Sequence, residues 1–163
     1  MKHLALLALI LLSGCGYRAV GYDGLHRSDV RTVAIPAVAN ATDDPALAEL
    51  LGPALVERVE AATPYRVASA GRADTLLEVR VLGADRRLSL RDRNLATPEQ
   101  AIWVVRVDAD WRDLRTGETL LSLRNLEQTA AQYPSLGEGS FLPSQQAAER
   151  TAAAIVDAMA TSW

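Results

Sequence analysis

The chain has 163 residues, with 17 basic and 20 acidic side chains for a net charge of −3, one cysteine and two histidines. One cysteine excludes an internal disulfide, so few Cys and His exclude a zinc site built from them, and the negative balance excludes a general nucleic-acid binder. The length suits one domain with a sizeable core.

At the start, Lys2 and His3 precede an unbroken apolar run from Leu4 to Leu12, followed by Ser13, Gly14 and Cys15. That run falls well short of the roughly 20 residues needed to span a bilayer, and it reads as a secretory signal. Leu-Ser-Gly-Cys resembles the bacterial lipobox, which implies cleavage before Cys15, a diacylglycerol on its sulfur and acylation of the new amine. Residues 1–14 are then the removed signal, 15–28 the acylated N-terminus and a polar, glycine-containing tether, and 29–163 a single folded domain. Several acyl chains anchor stably, because each buried methylene contributes about 0.8 kcal/mol and one chain alone is marginal. Gly16 rather than aspartate after the cysteine resembles lipoproteins sorted to the outer membrane of diderm bacteria, with the domain facing the periplasm. Lys2 is the only lysine, so every positive side chain after the signal is an arginine.

In the domain, residues 30–38 (VRTVAIPAV) alternate and stop near Pro36, which suits a strand at a sheet edge. Asp44 reads as a helix N-cap with Pro45 at the first helical position. Leu47, Leu50, Leu51, Leu55 and Val59 then recur at spacings of three and four, predicting an amphipathic helix to about Ala62, kinked at Gly52-Pro53. Tyr65 to Ala68 is a short strand. In the next, Leu77, Val79 and Val81 oppose Glu78 and Arg80, whereas Leu88 and Leu90 are in the opposite phase, so a bulge near Gly83 is required. Trp103, Val105, Val107, Ala109 and Trp111 alternate with Arg106, Asp108, Asp110 and Arg112, a strand with one wet face. Residues 115–118 (RTGE) form a hairpin turn, and Leu121 and Leu123 lie on the returning strand. A loop over 132–142 leads to an alanine-rich helix capped by Ser144 and ending near Trp163. The order β-α-β-β-β-α predicts an α+β two-layer sandwich: a small mixed sheet of about four strands with both helices on one face.

The chemistry is limited. His26, in the tether, is the only histidine after the signal, so a histidine-based triad has no members, and no glycine-rich phosphate loop follows a strand. No cofactor or metal is implied. Asp108 and Asp110 project side by side, which keeps a carboxylate-dependent hydrolase in view, but Arg106 and Arg112 flank them as on a solvated, ion-paired sheet face. Around residues 84–93, Arg86, Arg87, Arg91 and Arg93 interleave with apolar residues. Guanidinium groups there suit the phosphates of an amphiphile, and equally they keep an exposed hairpin arm soluble.

Taken in order, GCGYR after the signal, VAIPAVANAT before the first helix, ADTLLEV at the middle strand and DLRTGETLL at the hairpin resemble the lipopolysaccharide-assembly lipoprotein family LptE. The resemblance implies a two-helix, one-sheet lipoprotein of the outer membrane that plugs and helps assemble a β-barrel partner, LptD-like, and binds lipopolysaccharide or a related glycolipid. Arg106, Asp108, Asp110 and Arg112 would then face the barrel lumen, and Arg86, Arg87, Arg91 and Arg93 are the candidates for glycolipid phosphates. VAIPAVANAT also resembles curli-secretion-type lipoproteins, which form their own assemblies.

Overall fold

A computed structural model describes residues 26–43, 45–90, 100–133, 136, 139 and 141–161. The elements are β1 (Thr32–Ala34), β2 (Ala39–Asn40), α1 (Ala46–Ala62), β3 (Arg66–Val67), β4 (Thr75–Leu90), β5 (Gln100–Asp113), β6 (Thr119–Gln132) and α2 (Phe141–Thr161). The sheet runs β3-β1-β4-β5-β6, with β2 also paired to β4. β1 pairs in parallel with β3 and β4, and β4, β5 and β6 form an antiparallel meander. The class is α+β, as the alternation and helical periodicity require.

Both helices pack on one face. From α1, Leu47, Leu51, Leu55 and Val59 recur every fourth residue and are buried. From α2, Ala148, Ala152, Ile155, Val156 and Met159 join them over Val33, Leu77, Val79, Val81, Val105, Val107 and Trp111 in one core. The alanines of α2 let the two helices approach closely. Trp111 is the largest fully buried side chain, and its ring lies 5.8 Å from that of Tyr65, whose hydroxyl accepts from the Arg27 amide at 3.0 Å. The chain is thus already packed on the domain at His26, whose ring sits edge-on to Tyr65 at 5.6 Å.

The expected bulge is present: the register slips between Val81 and Gly83. It carries the strand from Val81 to Ala84 without turning the apolar side outward, since both pack toward the core. Gly83 lets the Arg106 guanidinium lie directly across the strand: a Cβ would stand 2.6 Å from its nitrogen and the arginine would have to swing aside.

Three expectations are corrected. The first strand is broken, because Pro36 lacks the N–H a ladder needs, so β1 and β2 are separate and the sheet has six strands rather than about four. α1 begins at Ala46, with Pro45 at the N-cap position rather than the first helical one, while Asp44 lies outside the described residues. α2 begins at Phe141, with Pro143 in its first turn and Ser144 buried inside it rather than capping it.

The end of the sheet near residues 74 and 113 is fixed by two carboxylates. Asp74 accepts from the Arg31 and Thr32 amides, each at 3.0 Å, and from the Thr32 hydroxyl at 2.9 Å, clamping β1 to the start of β4. Asp113 accepts from the Arg115 amide (2.7 Å), the Thr116 amide (3.0 Å) and the Arg115 guanidinium (3.0 Å), which builds the hairpin turn that Gly117 completes at φ 75°. The Arg115 guanidinium, with the amides beside it, holds the Asp113 carboxyl at about 2 against an ordinary 3.8.

Trp111→Ala is expected to cost about 3–5 kcal/mol of unfolding free energy, read by urea denaturation. Because the folded Asp113 pKa is depressed, its stabilisation is full above the unfolded value of 3.8 and is lost as pH falls toward about 2. Asp113→Asn should therefore flatten the acid limb of the stability profile between those values, measured by circular dichroism against pH.

Candidate functional site

The face of the sheet opposite the helices carries the four residues singled out on β5. Each has a partner, and the ion pairs run across strands as a solvated, ion-paired sheet face requires. The Arg112 guanidinium pairs with Glu78 of β4. Asp110 accepts from Arg124 at 2.8 Å and from the Ser122 hydroxyl at 2.9 Å, both on β6. Arg124, then Ser122 and the nearby Arg112 charge, hold the Asp110 carboxyl below the usual range. Asp108 accepts from the Asn125 amide at 2.8 Å. Arg106 reaches both ways, to Asp85 of β4 at 2.6 Å and Glu127 of β6 at 3.9 Å. Charges therefore match across β4, β5 and β6.

Asp108 has a structural task in this lattice. Asn125 is the one described non-glycine residue with positive φ, 54°, and it lies where the β5–β6 register slips past Val107. Asparagine tolerates the left-handed region better than most residues, and the Asp108 carboxylate satisfies its amide. The bulge interrupts an edge strand that would otherwise offer a flat, unpaired ladder to another chain. Chemically, a carboxylate pair working as acid and base needs one member with a raised pKa. Asp110 is shifted the other way, and Asp108 is engaged by a backbone amide. Among the described residues no group of three or more His, Cys, Asp or Glu side chains has the geometry to hold a metal ion.

The arginine-rich arm divides between two faces. Arg86 lies opposite Trp103 on the helix side, and Arg87 lies opposite Ile102 on the open side. Both are exposed. Arg91, Arg93 and Cys15 lie outside the described residues. The sequence reading missed the large apolar side chains exposed between the end of β6 and the start of α2: Tyr133, Leu136, Phe141 and Leu142, with Leu136 and Phe141 at 75% and 62%. The signal was available, since four large apolar side chains in a proline- and glycine-containing stretch have no strand or helix periodicity to bury them. Trp103 is partly buried and donates from Nε1 to Gln132 at 3.1 Å. This part of the surface thus exposes both arginines and large apolar side chains. No described helix is long and apolar enough to cross a membrane.

The fold is shared with solved bacterial proteins. Protein XCC0632 of Xanthomonas campestris, from family DUF330, matches with a TM-score of 0.59 at 12% identity over 84% of this chain and 87% of that one. The hypothetical protein CT253 of Chlamydia trachomatis matches with a TM-score of 0.53 at 12% identity, covering 80% and 98% of the two chains. The PelC dodecamer of Paraburkholderia phytofirmans matches with a TM-score of 0.52 at 15% identity, covering 78% and 90%. At such identities the likeness is one of fold. No protein-family model and no curated protein matches the chain.

Because the open-face ion pairs are solvent-exposed, Arg106→Ala and Arg124→Ala are each expected to change unfolding free energy by less than about 1 kcal/mol. The difference should shrink further in about 1 M salt, as read by urea denaturation at two salt concentrations.

Proposed function

We propose that this protein is an outer-membrane lipoprotein of the lipopolysaccharide transport and assembly machinery, anchored through acylated Cys15. It seats its domain in the lumen of a β-barrel partner, helps that barrel assemble, and offers its exposed arginines and apolar side chains to the glycolipid. The observation that carries the reading is the open sheet face, where Arg112–Glu78, Arg124–Asp110 and Arg106–Asp85 are paired within the protein. The interior of a large β-barrel is polar. A plug whose charges are already matched meets such a wall without leaving unpaired charges desolvated, which is the costly outcome on docking. The exposed Arg86, Phe141 and Leu142 suit a ligand carrying both phosphates and acyl chains. The order of sequence motifs resembling LptE supports the same assignment.

A second reading has one specific observation in its favour. The PelC dodecamer has this fold, and a lipoprotein domain of this shape is therefore compatible with a ring of its own copies, as in the secretion-type alternative.

The full acylated protein, extracted in detergent from its native envelope and washed at high salt, decides between them. The proposal expects a stoichiometric large β-barrel in the eluate by mass spectrometry and light scattering. A particle made only of many copies of this chain would overturn it in favour of the ring.

A further inference from the structure

The end of the sheet that Asp74 and Asp113 fix is also where the chain arrives from Cys15. β1, β3 and β4 all start there, β5 finishes and β6 begins. The Arg27 amide donates to the Tyr65 hydroxyl at 3.0 Å and His26 stands edge-on to that ring, so the chain is pinned to this end from residue 26 onward. Arginines gather on the same rim. Arg66 donates its amide to the Arg31 carbonyl at 2.9 Å, Asp74 accepts from the Arg31 amide, and Arg72 lies two residues before Asp74. Arg31, Arg66 and Arg72 are exposed, and none has an ion pair to a described residue. The carboxylates of the rim are turned inward or taken. Asp113 is buried against the Arg115 and Thr116 amides, Asp74 accepts from two amides and the Thr32 hydroxyl, and Asp29 holds Arg27 at 2.9 Å. Leu114, at the hairpin turn, is 43% exposed although its neighbour Asp113 is only 3% exposed.

We propose that this rim docks on the phospholipid headgroups of the leaflet that holds the acylated Cys15. The inference rests on the acylation in the proposed function and not on the barrel. Only residues 16–25 separate Cys15 from His26. Fully extended, that link reaches about 40 Å at most, so the rim stays within that distance of the bilayer in every orientation of the domain. Such a short link keeps the two surfaces at high effective concentration. A guanidinium takes a phosphate bidentately, and arginines spread along a rim suit a continuous layer of phosphates better than one small anion. Each arginine near an anionic leaflet favours contact about fivefold. Leu114 supplies the apolar side chain that sinks to the boundary between headgroups and acyl chains. The carboxylates left exposed around the rim, Glu118 on the hairpin and Glu60 in the last turn of α1, meet the ammonium of an ethanolamine headgroup. Docked in this way, the long strands stand away from the bilayer.

The test uses the full acylated chain with p-benzoylphenylalanine in place of Leu114, reconstituted in vesicles of phosphatidylethanolamine and phosphatidylglycerol, which contain no barrel. Irradiation should join position 114 to phospholipid, read by mass spectrometry. With Arg31→Glu and Arg66→Glu together the yield should fall at least about tenfold, and with Arg31→Lys and Arg66→Lys less, because lysine keeps the charge but not the bidentate fork. The thermal midpoint in detergent should match for all three, since both side chains are exposed. Where the glutamate pair is less stable, the lysine pair and the adduct formed with both arginines intact decide. Equal yields with the arginines and with their replacements, or no phospholipid adduct with the arginines intact, overturn the docking and leave the lipoprotein and plug readings standing. In the native envelope, an adduct to a polypeptide instead of phospholipid overturns it in favour of a protein partner at this rim. An intact mass showing Cys15 without acyl chains removes the lipoprotein reading and the docking with it.

Discussion

Two helices can cover one face of a sheet, and the described residues form two. β4 has 16 residues and β5 and β6 have 14 each, so these strands run about 46–53 Å. The helices have 17 and 21 residues, or roughly 26–32 Å. Among the described residues, one whole face of the sheet is therefore left without a covering layer. The rest of the molecule follows from how that uncovered face is made tolerable.

On the open face the solution is electrostatic. Charged side chains stand where a second helical layer would need apolar ones, and they are paired across strands so that the face is neither sticky nor strongly charged. The irregularities serve the same end. The Gly83 bulge keeps β4 apolar toward the helices along its bend while making room for Arg106 to bridge Asp85 and Glu127. The Asn125 bulge breaks the exposed edge strand, and Arg150 of α2 donates to the Thr129 carbonyl of that strand at 2.6 Å. Beyond β6, Tyr133, Leu136, Phe141 and Leu142 are exposed, as is Arg86 on β4. A surface with both kinds of group is suited to an amphiphile.

Much of this was legible in the sequence where one residue's physics decides the outcome. The four-residue spacing of Leu47, Leu51, Leu55 and Val59 fixes the buried face of α1. The phase change after Val81 demands a bulge, and it falls beside Gly83, over which Arg106 lies. The alternation from Trp103 to Trp111 places Arg106, Asp108, Asp110 and Arg112 on the uncovered side. Pairing was not legible, because it depends on register between strands: Asp110 meets Ser122 and Arg124 only through the slipped β5–β6 ladder. The start of α2 was misplaced for a related reason. Ser144 has the chemistry of a cap, but Phe141 and Leu142 extend the helix by a turn and leave Ser144 buried against the core.

The central claim is that the charged open face lies against the wall of a partner. Carbodiimide labelling of Glu78, Asp85, Asp110 and Glu127, compared between the envelope-embedded protein and the isolated domain, tests it directly. The account predicts that these carboxylates lose most of their labelling in the envelope, while Glu118 of the isolated domain sets the scale for an exposed hairpin-turn carboxylate. Equal labelling in the two states would contradict it, because a face in contact with a wall cannot be as accessible as one in water.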